Sequence, residues 1–304
     1  MDYKHFKGKH ANIVIEIISL LEKGVKKAQE ILEKPDAGSY TKLENSSGDT
    51  PIKADLALDK FLEENFLSLE NIKSVFSEEK ETPVTKENGS YLIAEKPVTK
   101  ENGSYLIAYD PLDGSSVMEA NFLVGTIIGV YEKDYKAQNL VASLYVVFGH
   151  KIELVVALDK VYRYSFYQNK FHFIETIVLE NKGKIIASGG NQKDFSLGLK
   201  KALEGFFAEN YRLRYSGSMV ADVHHVLIKK GGMFSYPQKK LRKLFEVFPL
   251  ALIIEKAKGE AFYFDKGVKK RLLEQSVENY HEKSECYLAS PHEAQILEKY
   301  LKGE

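Results

Sequence analysis

The segment YLIAYDPLDGSS, residues Tyr105 to Ser116, joins a short apolar run to two aspartates, a glycine and two serines. The run predicts a short strand, and Asp110-Pro111-Leu112-Asp113 is predicted to leave it through a turn. Both carboxylates would then lie at the strand's carboxyl end. Two carboxylates so close in sequence can share a hard divalent cation, because magnesium prefers oxygen ligands and keeps water and substrate phosphate as its other ligands. The segment therefore predicts a metal site.

Gly114-Ser115-Ser116 is predicted to open a helix directly after the second aspartate. The unpaired N–H groups and positive dipole end of a helix start suit a phosphate, so a metal site and an anion site would be adjacent. The alternative is a turn followed by a serine-capped helix, and the D-x-x-D-G pattern alone favours that alternative. Support for a metal site must therefore come from other residues.

Four more acidic residues are candidates for the same site. Glu78-Glu79 follow an apolar strand in SVFSEEK, Asp55 lies in IKADLALD, and Glu246 stands among apolar residues in KLFEVFPLAL. A buried carboxylate is costly unless it is paired or bound to a cation. The alternatives are a solvated turn for Glu78-Glu79, an exposed helix face for Asp55, and an ion pair with Lys243 or Arg242 for Glu246. Only the combination of these acids favours a metal site.

The residues before this segment are repeated. Pro83 to Ala94 recurs letter for letter as Pro97 to Ala108. The second copy is predicted to form the strand because it continues into Asp110, which leaves Thr82 to Glu95 as extra length. Such a loop costs little, since loop-closure entropy grows only logarithmically with length, although both copies would compete for one sheet position. We interpret the extra copy as a tandem duplication or an artefact of sequence assembly, without a function of its own.

Charge and cysteine content limit the kinds of partner. The chain of 304 residues has 43 Lys plus Arg and 43 Asp plus Glu, so its formal net charge is zero. This balance argues against nucleic acid and anionic membranes as partners and favours a small molecule. Cys286 is the only cysteine, which excludes an intrachain disulfide framework. With a charged N-terminus and glutamates inside the following apolar run, we expect a soluble, cytoplasmic protein without a membrane span.

The hydrophobic pattern predicts an α/β fold in two domains. Apolar residues recur at three- and four-residue spacing from Ile13 to Ile31, and Ile52 to Leu69 again favours helix. From Tyr91 to Val161, runs such as VGTIIGVY, LVASLYVVF and KIELVVAL are typical of sheet strands. The last third alternates between helical and strand patterns. We therefore predict an N-terminal domain over residues 1–181 and a C-terminal α/β domain over residues 182–304.

Three other features are predicted to be structural. His224-His225 lack the i, i+4 spacing of a helical zinc pair, which favours packing or interface roles. Cys286 is predicted to be a small buried residue on a late strand. The basic residues between Lys239 and Lys243 are predicted to lie on a helix beside a sugar-phosphate pocket rather than in a nucleic-acid patch.

Six segments together resemble class I fructose-1,6-bisphosphatase: SEEK, DPLDGSS, VGTIIGVY, RYSGSMVADVH, GGMFSYP and KLRKLFEVFPLALIIEKAKG. DPLDGSS alone also fits the wider lithium-sensitive, magnesium-dependent sugar and inositol phosphatases, whereas the C-terminal segments are more selective. The resemblance implies a layered α/β/α/β/α sugar-phosphatase fold with two mixed-sheet subdomains, usually assembled as a homotetramer. It also implies hydrolysis of the 1-phosphate of fructose 1,6-bisphosphate, a step of gluconeogenesis, with two or three magnesium ions, or manganese in their place.

The resemblance also implies roles for individual residues. The implied metal ligands are Glu78, Glu79, Asp110, the carbonyl of Leu112, Asp113 and Glu246. Asp49 and Asp55 match acids that activate a metal-bound water, and Glu79 shares this catalytic role. Gly114, Ser115 and Ser116 match the 1-phosphate cradle. The residues implied to bind the rest of the substrate are Asn191, Tyr215, Tyr236, Lys240 and Arg242, with Arg214 reaching the 6-phosphate of a neighbouring subunit.

The chain departs from the family pattern in two places. The family's N-E-G-Y, which supplies a substrate tyrosine, is here Asn191-Gln192 followed by KDF, so one 6-phosphate hydroxyl is missing. The family's nucleotide site uses a G-T-x-E-[LM]-T helix start, a Lys-Tyr pair and a basic residue after its G-I-Y. Here the helix start is not recognisable, the pair is Ser104-Tyr105, and the basic residue is replaced by Glu132. These changes predict weak or absent inhibition by AMP.

Two alternative functions stay open at this point. One is a related phosphatase that acts on sedoheptulose 1,7-bisphosphate or an inositol phosphate, since pocket residues rather than the metal cluster decide the substrate. The other is a non-catalytic phosphosugar or metal sensor, suggested by the duplication beside the ligands and by the missing tyrosine. The complete set of carboxylates argues against the sensor.

Overall fold

The computed structural model describes residues 3, 5–42, 50–85 and 104–303. Its α-helices are α1 (Ala11–Leu32), α2 (Lys53–Ser68), α3 (Leu197–Ala208), α4 (Met219–Ile228), α5 (Phe248–Lys256) and α6 (Pro291–Leu301). A 3₁₀ helix, Ser115–Ala120, and a π-helical turn, Lys243–Val247, also bear on the site.

The strands form two mixed sheets. The first sheet has the order β2-β1-β3-β4-β5-β6-β7-β8 and the second the order β10-β9-β11-β14-β12-β13. The strands of the first sheet are β1 (Ile72–Ser77), β2 (Val84–Thr85), β3 (Tyr105–Asp113), β4 (Val124–Glu132), β5 (Leu140–Phe148), β6 (Ile152–Ala157), β7 (Val161–Tyr167) and β8 (Lys170–Ile177). Those of the second are β9 (Ile185–Ser188), β10 (Arg212–Leu213), β11 (Met233–Arg242), β12 (Glu260–Asp265), β13 (Val268–Arg271) and β14 (Lys283–Ala289).

The helices and sheets stack in five layers. Helices α1 and α2 cover the outer face of the first sheet, while α4 and α5 lie between the sheets and contact both. Helices α3 and α6 pack together on the outer face of the second sheet. Because helices cover both faces, the central strands are buried almost throughout and show no alternation of polar residues. The predicted α/β/α/β/α fold is confirmed.

The two predicted N-terminal helices are present. Helix α1 buries its apolar stripe, from Ile13 to Ile31, and ends three residues before Pro35, which cannot continue a helix. Helix α2 starts at Lys53, where the Asp55 side chain accepts the backbone N–H of Ile52 at 2.9 Å. The start of α2 therefore fixes the position of one candidate catalytic acid.

The predicted turn at Asp110–Asp113 is wrong. Strand β3 continues through Asp113, and its pairing with β4 shifts register between Asp110 and Asp113. The hydroxyl of Thr126 on β4 donates to the Pro111 carbonyl at 2.8 Å, which holds the bulged residues against the sheet. Proline cannot donate to a ladder, so a bulge is one of the few places in a sheet that accepts it. The bulge re-aims both aspartates.

The repeat lies largely outside the described residues. Of the first copy only residues 83–85 are described, and they include β2, which pairs antiparallel with β1. The end of the second copy forms β3 beside β1 in parallel, as predicted.

The change from the first sheet to the second falls between Ile177 and Ile185. The division into residues 1–181 and 182–304 stays a prediction. Among the residues that the structure describes, no helix is both long enough and apolar enough to cross a membrane.

Candidate metal centre and active site

Three acidic side chains from distant parts of the chain meet between the two sheets. Asp110 and Asp113 come from the bulged end of β3, and Glu246 comes from the π-helical turn before α5. One carboxylate oxygen of each lies within 4.8 Å of the others, and all three residues are buried. The sequence expectation that these acids share one site is consistent with this geometry.

Local backbone geometry aims Glu246 into the site. Its Oε2 accepts the backbone N–H of Arg242 at 2.6 Å, and the hydroxyl of Tyr131 donates to the Leu244 carbonyl at 3.2 Å. π-helical turns are uncommon and often occur at functional sites.

The basic residues from Lys239 to Arg242 lie on β11, so their predicted placement on a helix is wrong. Pairing with β14 at Leu241 and Arg242 holds this segment extended.

The N-terminus of α4 holds Asp113. Its Oδ2 accepts the hydroxyl of Ser218 at 2.7 Å and the backbone N–H of Val220 at 2.8 Å. Ser218 also caps α4 by accepting the Ala221 N–H at 3.3 Å. Sequence reasoning missed Ser218 as a site residue, although a serine just before a helical run is a signal for an N-cap.

Glu78, Glu79 and Asp55 bring further negative charge to the same pocket. Glu78 and Glu79 follow directly after β1, and all three residues line the pocket with Asp110. Glu78 also pairs with the buried guanidinium of Arg242. The solvated turn and the exposed helix face, the ordinary alternatives for these acids, do not describe their placement.

The cluster has more negative charge than its surroundings compensate. Burial raises the pKa of Asp110 well above its usual range, and the charges of Asp113 and Glu246 raise it further. Burial raises the pKa of Glu246 to about 7, with a smaller contribution from Asp113. Burial and the charge of Glu79 raise the pKa of Asp55 to about 7. Such a site favours either protons or cations.

The acids open into a pocket of about 150 Å³. The pocket is lined by Asp55, Glu78, Glu79, Asp110, Leu112, Asp113, Gly114, Ser115, Ser116, Tyr215, Gly217, Met219, Phe234, Tyr236, Lys240, Leu241 and Glu246. Gly114 has a φ of +88°, and an added Cβ would lie 2.5 Å from the Cβ of Ser218. Only glycine therefore allows β3 to turn into the 3₁₀ helix at this point.

Among the described residues, three predicted site residues, Asn191, Arg214 and Arg242, are not part of this lining. Asp49 lies outside the described residues. Asn191 and Arg214 are exposed, and Arg214 donates to the carbonyl of its own neighbour Leu213 at 2.9 Å. Arg242 is buried and pairs with Glu78, which does line the pocket.

The histidine pair and the cysteine occupy structural positions. His224 lies 2.9 Å from the Tyr145 hydroxyl through Nδ1 and 3.2 Å from Glu153 through Nε2, so its predicted packing role is confirmed. Cys286 is fully buried on β14, also as predicted. In the 191–195 segment, Phe195 is buried in the core, so its ring does not replace the missing tyrosine.

Comparisons with known proteins agree along the whole chain. The family described as "Fructose-1-6-bisphosphatase, N-terminal domain" matches residues 6–176, and "Fructose-1-6-bisphosphatase, C-terminal domain" matches residues 179–302. The chain is 94% identical to the fructose-1,6-bisphosphatase class 1 of Helicobacter pylori strain G27, covering 100% of both chains. It is 40% identical to that of Helicobacter hepaticus, covering 88% of this chain and 92% of the relative.

A solved structure supports the same assignment. The holo form of Leishmania major fructose-1,6-bisphosphatase superimposes with a TM-score of 0.80 at 27% identity, covering 94% of this chain and 93% of that one. Both domain families occur in order, and the relatives match over nearly their full length. The chain therefore belongs to the class I fructose-1,6-bisphosphatase family.

Proposed function

We propose that this protein hydrolyses the 1-phosphate of D-fructose 1,6-bisphosphate, giving fructose 6-phosphate and phosphate, in gluconeogenesis. It is a metal-dependent phosphatase, as is typical of its family. The observation that carries the proposal is the meeting of Asp110, Asp113 and Glu246 in one buried pocket. Three buried carboxylates this close together are costly unless cations bind them.

The donor set fits hard dications. Two or three magnesium ions, or manganese, would be held by Glu78, Glu79, Asp110, the Leu112 carbonyl, Asp113 and Glu246. All of these ligands are oxygens, which magnesium prefers. The pKa values of Asp110 and Glu246 are raised by burial and partly by neighbouring carboxylates, and bound cations would neutralise this repulsion. When bound, such ions lower the pKa of a water molecule and neutralise charge on the transferring phosphoryl group.

The residues around the acids position substrate and proton. Asp55 accepts the Ile52 N–H through Oδ2 and also hydrogen-bonds Ser115, and its carboxylate would take a proton from the attacking water. Asp49 and Glu79 assist this activation. The backbone N–H groups after Gly114, with Ser115 and Ser116, hold the 1-phosphate, while Tyr215, Tyr236 and Lys240 bind the sugar and its 6-phosphate.

The remaining proposals concern the oligomeric state and three residues outside the pocket lining. We propose a homotetramer in the cytoplasm, with the exposed Arg214 reaching the 6-phosphate in a neighbouring subunit. Asn191 completes the 6-phosphate site, and Arg242 contributes by holding Glu78, one of the proposed metal ligands. Sedimentation of the purified protein tests the assembly, since a monomer at micromolar concentration would contradict it.

Phosphate release from fructose 1,6-bisphosphate, with and without a chelator, tests the activity. We expect release that stops with EDTA and returns with excess magnesium. Sedoheptulose 1,7-bisphosphate and inositol 1-phosphate serve as competing substrates in the same assay. A higher kcat/KM for either would overturn the proposed substrate, and binding without any release would indicate the sensor.

AMP is expected to inhibit weakly or not at all. Glu132 stands where the family has a basic residue, and its carboxylate accepts a hydrogen bond from the Lys9 ammonium group at 3.0 Å. Nearby, the Nδ1 atom of His10 lies 3.1 Å from the Tyr105 hydroxyl. A carboxylate at this position repels a nucleotide phosphate. We expect AMP to bind with a dissociation constant of about 1 mM or weaker. Titration of AMP to roughly 1 mM should therefore lower the initial rate by less than about half. Strong cooperative inhibition would refute this prediction.

Deletion of Glu81 to Ala94 is expected to leave turnover within about twofold of the full chain, since a shorter connection between β1 and β3 changes closure entropy only slightly. Val84 and Thr85 pair with β1, but the chain left after the deletion supplies the same PVT letters from the second copy. Steady-state kinetics and circular dichroism of the purified variant check this. A variant that is folded but inactive would mean that the segment has a task.

A further inference from the structure

The loop that carries Glu78 and Glu79 is fixed from one side by the first sheet and α2. The Glu78 N–H donates to the Tyr109 carbonyl at 3.0 Å, which ties the loop to β3. The ammonium group of Lys80 pairs with Glu63 on α2 and lies 3.9 Å from Asp59 on the same helix. These contacts set the loop relative to the N-terminal half, and the ion pair of Glu78 with Arg242 also ties it to β11 of the second sheet.

Residues 280–282 are fixed to the π-helical turn that carries Glu246. The Lys243 N–H donates to the Glu282 carbonyl at 2.9 Å. The Lys243 ammonium donates to the Glu282 carboxylate at 2.5 Å and to the Ser276 carbonyl at 2.9 Å. Since Lys243 begins the turn, these bonds hold Glu282 against the segment that carries Glu246.

His281 connects these two units. Its Nε2 lies 2.8 Å from the Lys80 carbonyl, and a carbonyl can only accept, so Nε2–H is the donor. Burial lowers the pKa of His281, and the charge of Arg242 lowers it further, which favours the neutral ring with its proton on Nε2. The bond joins the residue beside Glu79 to the residue beside Glu282.

The ring of His281 also fills the gap between the two units. The centroid of its ring lies 5.7 Å from that of Phe76, a residue of β1 two positions before Glu78. It lies 5.4 Å from the ring centroid of Phe245, which directly precedes Glu246. Phe76 and Phe245 contact each other edge-on at 5.0 Å and are fully buried. Packing around this imidazole therefore contributes to the distance between the two acidic segments, together with Tyr280, whose ring lies 5.0 Å from that of Phe76.

We propose that His281 is a positioning residue that sets the Glu78-Glu79 loop against Glu246 and thereby determines the affinity of the site for divalent cations. This inference rests on the proposed function, because it concerns the same metal site. His281 does not line the pocket, so we expect it to act through the Lys80 carbonyl and the two phenylalanines.

Three full-length variants separate the hydrogen bond from the packing. His281→Leu keeps an apolar side chain against Phe76 and Phe245 but has no donor. His281→Gln offers an amide N–H that can reach the same carbonyl. His172→Leu is the matched control, because His172 also approaches a backbone carbonyl through Nε2, that of Tyr167 at 3.1 Å, but on an exposed hairpin.

Calorimetric titration of each metal-free variant with Mn²⁺ is the main measurement. We expect His281→Leu to weaken Mn²⁺ binding by about 10- to 100-fold, as loss of a residue that orients metal ligands typically does. His281→Gln should restore affinity to within about threefold, and His172→Leu should match wild type. Phosphate release at varied Mn²⁺ should show a higher half-saturating concentration for His281→Leu, with a smaller change in kcat at saturation.

The outcomes distinguish this inference from the proposed function. Wild-type affinity in a folded His281→Leu variant, or failure of His281→Gln to restore affinity, overturns the positioning role. A purely structural role would lower the urea midpoint without changing Mn²⁺ affinity. If His281→Leu does not fold, His281→Asn, whose amide is too short to reach, takes its place. Normal Mn²⁺ binding by a wild-type protein that releases no phosphate would overturn the proposed function alone.

Discussion

Glu246→Gln is expected to lower kcat by at least about a thousandfold while leaving the metal-free protein as stable as wild type or more so. The loss follows because stabilisation of the transition state by metal ions amounts to several kcal/mol, and about 1.4 kcal/mol corresponds to tenfold in rate. The amide oxygen of Gln can still accept the Arg242 N–H, so the π-helical turn is retained. Steady-state kinetics and urea unfolding in EDTA measure both effects.

The stability effect has a defined pH dependence. The pKa of Glu246 rises from 4.5 to about 7 on folding, so the folded state holds more protons than the unfolded state between these values. The free energy of unfolding therefore falls as pH rises through this window, and the loss is complete above pH 7. Gln removes this penalty, so we expect a gain of about 1–3 kcal/mol over wild type at pH 8 and little at pH 4.

Glu293→Gln provides a matched control for this result. Glu293 is another buried glutamate, but it accepts the Gly183 N–H at 2.7 Å and the Tyr211 hydroxyl at 2.5 Å, away from the acidic cluster. We expect it to keep turnover and to gain no stability at pH 8. A Glu246→Gln variant that unfolds more easily than wild type without metal would mean that Glu246 is structural.

Asp55→Asn is expected to lower kcat by about 10²- to 10⁴-fold with little change in KM, the usual size of a general-base contribution. The Asn side-chain oxygen can still accept the Ile52 N–H that Asp55 accepts at 2.9 Å, so the start of α2 is preserved. The variant loses the carboxylate that we propose as the proton acceptor. Initial rates over a range of substrate concentrations separate kcat from KM.

Asp59→Asn is the control, because Asp59 lies one turn later on the same helix. It is also buried, but it accepts the Tyr109 hydroxyl at 2.7 Å and does not line the pocket. Its turnover should stay within about tenfold of wild type, as expected for an acid that takes no part in proton transfer. Equal losses in the two variants would contradict a catalytic role for Asp55.

Much of the secondary structure could be predicted from local sequence. The apolar spacing from Ile13 to Ile31 gave α1, and the β-branched runs gave β4, β5 and β6, because each pattern reflects the period of its own backbone. The prediction failed at Asp110–Asp113, where proline and aspartate suggested a turn. There the strand β4 holds the chain in a bulge, and this partner is not visible in the local pattern.

The candidate site was predicted only in part. The acidic residues were found because buried carboxylates and the family segments mark them in sequence. Ser218 and His281 were missed, since their importance comes from contacts with Asp113 and Lys80 that lie far away along the chain. The role of Arg242 in substrate binding stays a prediction, and the fold pairs its side chain with Glu78.

By itself, the sequence determined the chemical class of the ligands and the helices that cover the first sheet. These depend on residue type and on spacing over a few positions. Only the tertiary structure decided that Glu246 faces Asp110, that α4 holds Asp113 and that His281 spans the two halves. Such contacts arise from the order in which the sheets and the middle helices stack, and no local period of the chain encodes that order.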